Sequence, residues 1–298
     1  MVKSKNYSAV KIKNEPVLRT GNVVLDDFIS NDSGFVIGSS IFLTGTSGAG
    51  KTTLAYTLQK VFENHVTSLY SREMSASAVA DQMKRYAISH NNAYIADKDS
   101  HPTLINYIEE LEILKPKVVI VDSLQVLMKE DYADMSAEKS GYLIIQMLRE
   151  WTEKNDAVLI VVGHVNKDGE FEGKNTIKHM FDAHLEMIFD KKKQTRTLSW
   201  SKNRKGSTAD MLYYIFGEDT IEFFTENQWD ARMTDKTMSD FMADSVFSFI
   251  EMFKTHKNYK EFYKEFVAEL EGFNGDLNSV CTMSFTAQNL LKKYSIIK

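Results

Sequence analysis

One stretch decides more about this chain than any other: Gly45-Thr46-Ser47-Gly48-Ala49-Gly50-Lys51-Thr52. It fits the phosphate-binding pattern G-x-x-x-x-G-K-[ST], which has meaning only between a strand and a helix. Ser40-Ile41-Phe42-Leu43-Thr44 upstream is a short apolar run of strand type. Thr53 to Phe62 downstream repeats apolar residues at helical spacing. In that setting the glycines let backbone N–H groups converge on one anion, and the helix N-terminus adds its dipole. Gly45 to Thr53 therefore reads as the ATP-binding segment. Lys51 is placed to reach the β- and γ-phosphates, and the Thr52 hydroxyl to ligand Mg²⁺.

The rest of the chain builds a sheet around this turn. Val66–Ser71, Ala93–Ala96, Val118–Asp122 and Ala157–His164 read as strands, and residues 75–83 and 101–114 as helices, the second with Pro102 in its first turn. Uninterrupted apolar strands alternating with helices predict a parallel sheet buried on both faces. From Ala183 the rhythm changes to short strands with no helix between them, which predicts antiparallel pairing at the far edge; residues 191–194 form a hairpin tip. Beyond Gln228 apolar residues fall at helical spacing, with Asn258 and Glu261 as a cap, Gly272 as a stop and a third helix over residues 286–294. The expected organisation is a flexible arm (1–17), an α/β ATPase core (18–228) and a small helical appendage (229–298), which either is a cap packed on the core or on itself, or docks a partner or another subunit.

Composition excludes several classes. No apolar run approaches the ~18 residues of a membrane span, and the basic, polar N-terminus is no secretory signal. A single cysteine, Cys281, rules out an internal disulfide or a cysteine-rich zinc site. The cytoplasm is the compartment expected. With 36 basic and 41 acidic residues the net charge is −5, so any nucleic acid must follow a local basic track rather than the whole surface.

Five further positions carry chemistry. Asp122 ends an apolar strand, where a P-loop fold needs a second Mg²⁺ anchor. Glu73 ends the strand after the phosphate-loop helix, where a carboxylate can polarise the attacking water. His164 ends another strand, within reach of a γ-phosphate. Lys202 and Arg204, two residues apart near a strand end, point the same way and suit one anionic target. Cations supplied across a subunit boundary accelerate phosphoryl transfer greatly.

In their order these motifs resemble RecA-type ATPases, and within them the bacterial RadA (Sms) branch. Residues 117–125 (K-V-V-I-V-D-S-L-Q) look like the RadA Walker B strand. Residues 163–169 with Gly173 and His179-Met180-Phe181-Asp182 are similar to its G-H-V-T-K-D-G … E-H-M-V-D segment. Residues 202–206 (K-N-R-K-G) match K-N-R-F-G except at Lys205. Residues 71–76 (S-R-E-M-S-A) are similar to the S-L-E-M-S-A of DnaB-type helicases. The resemblance implies a RecA-like core in a homo-oligomeric, hexameric ring, with Glu73 activating water and Lys202 and Arg204 acting on a neighbour's ATP. It also implies single-stranded DNA in a central channel, met by the loops after Leu127 and Val165. In the first of these, residues 128–139, Lys129 and Lys139 sit among Glu130, Asp131, Asp134 and Glu138. The second offers Lys167, Lys174 and Lys178, with Phe171 for base stacking. The family's zinc module and Lon-like domain have no counterpart here. A DNA motor for recombination, repair or replication is the first expectation; an ATP-gated assembly or regulatory switch acting through the helical tail is the alternative.

Overall fold

A computed structural model describes residues 15–31, 33–88, 91–164, 176–217, 220–269 and 277–296. In chain order its elements are β1 (Val17–Leu18), α1 (Val23–Ile29), β2 (Phe35–Val36), β3 (Ser40–Gly45), α2 (Lys51–Val61), β4 (Thr67–Ser71), α3 (Ala76–Arg85), β5 (Ala93–Ala96), α4 (Leu104–Leu114), β6 (Val118–Asp122), α5 (Leu124–Glu130), α6 (Ala137–Lys154), β7 (Val158–Val162), α7 (Thr176–His179), β8 (Ala183–Asp190), β9 (Thr195–Asn203), β10 (Met211–Phe216), β11 (Ile221–Phe224), α8 (Glu226–Glu251), α9 (Tyr259–Glu269) and α10 (Leu277–Lys293).

Among the described residues the main sheet runs β11-β10-β9-β8-β3-β7-β6-β4-β5. From β5 to β8 neighbouring strands are parallel, and from β8 to β11 they are antiparallel. This is the α/β architecture of the RecA-like core. Alternation along the central strands sends Ile41, Leu43, Leu69, Ile120 and Ile160 to one face, where α1, α2 and α3 pack. Phe42, Tyr70, Val119, Val121 and Leu159 go to the other, under α4, α5 and α6. Burial on both faces is why these strands are continuously apolar in sequence.

The entry to the core is held by a buried carboxylate. Asp26 is 5% exposed, and its Oδ1 accepts from the Thr20 amide (2.7 Å) and hydroxyl (2.8 Å), its Oδ2 from the Gly21 amide. The boundary between two compact units falls between Thr225 and Glu226, inside which the second unit has its own core of Ile250, Phe262, Phe266, Met283, Leu290 and Leu291.

Several expectations are corrected. Thr103, not Pro102, opens the helix that follows: its hydroxyl caps Asn106 N, so α4 starts at Leu104. Asn258 does not act as a side-chain cap; its Nδ2 reaches across to the Tyr294 carbonyl. The last helix begins at Leu277 instead of residue 286. The first expected loop, residues 128–139, is half helical, because α5 runs to Glu130 and Ser136 caps α6; residues 131–136 lie outside helices. Gly272 lies outside the described residues. No helix among them is long and apolar enough to cross a membrane.

Candidate active site

The phosphate loop leaves β3 at the centre of the sheet. Two of its glycines are demanded by geometry. A Cβ at Gly45 would lie 2.1 Å from the Met187 carbonyl oxygen. Gly50 caps α2 at φ +99°, and a Cβ there would meet the Phe216 ring at 2.2 Å. The loop is also held from outside: Thr46 N donates to Met187 O, Phe189 N donates to Thr46 Oγ1, and the Tyr214 hydroxyl donates to the carbonyl of the buried Ala49. These supports from β8 and β10 are invisible in the motif itself. Thr46, Ser47 and Gly48 form the exposed lip of the loop, while Thr53 faces Tyr86, at 3.4 Å from its hydroxyl.

The Lys51 ammonium donates to the carbonyls of Gly45 (2.9 Å) and Thr46 (3.4 Å), folded back on its own loop. Burial pushes its pKa down, against the attraction of Asp122 and Glu73. The Thr52 hydroxyl donates to Asp122 Oδ2 at 2.9 Å. Asp122 is 6% exposed, and its Oδ1 is buried with no hydrogen-bond partner. Burial therefore raises its pKa, with the Thr52 bond opposing. An orphaned carboxylate oxygen beside a hydroxyl is a donor set suited to a hard divalent cation such as Mg²⁺.

Register brings the remaining groups together. Ser71 on β4 pairs with Asp122 on β6, and Asp122 with Val162 on β7, so the residues just beyond each strand tip meet. Glu73 Oε1 accepts from the Ser123 hydroxyl at 2.7 Å and lies 2.7 Å from His164 Nε2. The His164 bond is the main cause that pulls Glu73 down to about 2. At neutral pH Glu73 is thus a full carboxylate and a weak base, suited to orienting a water rather than taking an early proton. One ligand atom each of Glu73, Asp122 and His164 lie within 4.8 Å of one another. Two neighbours were not singled out from sequence. Ser123 holds Glu73, and Gln125 Nε2 donates to the His164 carbonyl at 2.8 Å, at the root of the second loop. Their one signal was the D-S-x-Q ending of the β6 strand.

Lys202 and Arg204 are not part of this cluster. On β9, Lys202 pairs with His184 and Asn203 with Ala183, which pair with Phe42 and Ile41 on β3. Arg204 therefore lies beyond the Ile41 level, some four residues or ~13 Å of strand below Gly45, at the opposite end of the sheet. Both cations bind the segment before β8. Lys202 Nζ donates to the carbonyls of His179 and Phe181, and Arg204 pairs with Asp182 at 3.4 Å. Burial, then the Arg204 charge, lowers the Lys202 pKa. Lys205, where the family pattern has an aromatic residue, instead pairs with Glu15 at 2.5 Å. Lys178 lies on α7, half-buried, close enough for its charge to act on His184. Lys167, Phe171 and Lys174 lie outside the described residues.

Comparison with known proteins bears on the fold and the nucleotide-binding family. A family model described as an AAA domain matches residues 41–174. The chain is 27% identical over 214 residues to the DNA repair protein RadA of Haemophilus influenzae, covering 70% of this chain and 45% of the relative. It is 27% identical over 226 residues to that of Escherichia coli, covering 74% and 47%. It is 30% identical over 180 residues to that of Streptococcus pyogenes, covering 60% and 39%. The chain thus spans less than half the length of these relatives. Among solved structures, a KaiC-like protein from the archaeon Pyrococcus horikoshii superposes with a TM-score of 0.58 at 14% identity, over 71% of this chain and all of the other, which supports the fold alone.

Proposed function

Because the chain is a P-loop ATPase of the RecA superfamily, near RadA, we propose that it works as a ring-forming motor that hydrolyses ATP on single-stranded DNA, in repair, recombination or replication. The observation that carries this reading is the separation of Lys202 and Arg204 from the phosphate loop by the length of the sheet. Neither can reach a nucleotide held by its own loop, whereas a neighbouring copy can present them to it. One protomer then supplies Gly45–Thr53 for the triphosphate, and the next supplies the two cations that stabilise charge on the transferring phosphoryl group. Mg²⁺, held through Thr52 and Asp122, would neutralise charge on the phosphate oxygens. Glu73 orients the attacking water, and Ser123 and His164 fix the rotamer of Glu73. His164 also links the γ-phosphate to the second loop, whose Lys167, Phe171 and Lys174, with Lys178 beside it, would bind DNA. The curated RadA relatives are described as DNA repair proteins, which favours this ligand.

The test is complementation in trans. Lys202→Ala/Arg204→Ala and Glu73→Gln are each expected to be inactive. Mixed with single-stranded DNA and ATP, they should regain turnover, because an interface between unlike protomers combines an intact Glu73 with intact cations. A mixture as inert as its parts, together with a wild type that turns over as a strict monomer, would sink the ring. A second reading, a nucleotide-gated switch, is favoured by the helical unit, which has its own core yet leaves Met252 75% and Val267 48% exposed. Turnover indifferent to DNA would favour it.

A further inference from the structure

Arg72 immediately precedes Glu73, and its guanidinium is buried, with 1% of the side chain exposed. A strand tip does not require a charge there, and a desolvated cation must be fully compensated. The compensation comes from three separate places. Nη1 donates to the Tyr70 hydroxyl (2.6 Å) and to the carbonyls of His101 (3.3 Å) and Pro102 (3.1 Å), in the turn before α4. Nη2 donates to Glu130 and Asp131, both at 2.7 Å, where α5 ends and the non-helical 131–136 segment begins. Nε is buried without a partner. Asp131 is itself fixed, since its Oδ2 accepts from Leu104 N at 2.7 Å, and Glu130 Oε1 pairs with Lys98 at 3.0 Å. The backbone of the same residue is pinned too: Arg72 N donates to the Asp122 carbonyl at 2.7 Å. On the other side, Met74 N donates to Ser71 Oγ, and Ala76 N donates to Asp97 Oδ2. Glu73 hangs between these anchors.

We infer that Arg72 is a positioning residue for Glu73, through which the placement of residues 130–136 sets the rate of hydrolysis without setting nucleotide affinity. The phosphate loop touches neither the Arg72 guanidinium nor its carboxylate partners in any described contact; the Arg72 backbone N–H does bond the Asp122 carbonyl, but side-chain variants leave that bond in place, so ATP binding is insulated from changes in the side-chain network. Glu73 is not, because its backbone is continuous with Arg72, and a water-orienting carboxylate displaced by about 1 Å loses on the order of 10²-fold in rate. A ligand that draws on the 131–136 segment would therefore be felt at the bond-breaking step. The inference rests on the water-orienting role proposed above for Glu73.

The experiment is steady-state ATP hydrolysis with nucleotide binding measured separately, on four variants. Arg72→Met should lower kcat at least ~10-fold while KM and nucleotide affinity stay within about twofold. Glu130→Gln/Asp131→Asn, which leaves Arg72 intact, should do the same in the same direction. Arg72→Lys, which keeps the charge but not the fork, should recover part of kcat. Should Arg72→Met not fold, Glu130→Gln decides alone, because this carboxylate is 34% exposed and Asp131 remains paired; it should give a smaller loss confined to kcat. An unchanged kcat in a folded variant, or kcat and affinity falling together, overturns the inference. Glu73→Gln is the separate control: if it keeps normal turnover, the reading of Glu73 fails, whereas a dead Glu73→Gln beside a fully active Arg72→Met removes Arg72 alone.

Discussion

The two ends of the parallel sheet are built on opposite principles. At the C-terminal end, Lys51, Thr52, Glu73, Ser123 and His164 bond to one another or to the loop, and Asp122 keeps a buried, unpartnered oxygen. At the other end, Lys202 and Arg204 are anchored by backbone carbonyls and by Asp182, with the Arg204 side chain 56% exposed. The first end is a cradle closed on itself and short of positive charge at its open lip. The second holds its charges near the surface, with Asp182 the carboxylate paired to Arg204. The difference teaches that position along a strand, more than side-chain chemistry, decides which groups can share one site within a chain.

The largest effect should break the comparison if it is wrong. Arg204→Ala is expected to lower kcat by on the order of 10³, the scale of a cation supplied in trans, and specific activity of the wild type should fall on dilution. A rate per protomer constant down to concentrations where the protein is monomeric would place the complete site in one chain. Next, Gly50→Ala forces a methyl into the Phe216 ring at a positive φ and should raise the KM for ATP by roughly 10-fold or more; Phe216→Ala in the same background should relieve the clash but not the backbone strain. At the other end, Asp182→Ala removes the acceptor of the Ser40 amide and hydroxyl, at 3.0 and 2.8 Å, as well as the Arg204 and Arg149 partner. It should cost about 2 kcal/mol of stability, read by denaturant unfolding, and leave nucleotide affinity unchanged.

The last effect concerns pH and bears on stability alone. His184 is buried between β3 and β9, with Nε2 2.7 Å from the Thr44 hydroxyl and Nδ1 2.5 Å from that of Ser201. Burial lowers its pKa to about 4. The unfolded chain takes up a proton first as pH falls below about 6.5, so stability should decline between about 6.5 and 4, by on the order of 3 kcal/mol, and be flat above 7. His184→Gln should remove that slope. A slope that persists would assign it to another group.

Much of this molecule follows from local spacing. The glycine pattern, the apolar runs of β3, β6 and β7, and the shift to antiparallel strands after Ala183 are each properties of a few consecutive residues, and the parallel sheet comes out of them. The family resemblance misled where it placed a loop from residue 128, half of which is helical, and local pattern misled where a hydroxyl outranked a proline, as at Thr103. What it could not supply are pairings between residues far apart in the chain: Ser123 with Glu73, Gln125 with His164, Tyr214 with Ala49, Arg72 with Asp131. Each depends on strand order and register, which no window of sequence contains. The sequence by itself therefore determined that a phosphate-binding turn sits at a strand tip beside candidate acids. Only the tertiary structure decided which groups meet there and that Lys202 and Arg204 lie at the other end, because parallel crossovers align strand tips while an antiparallel return carries its end away.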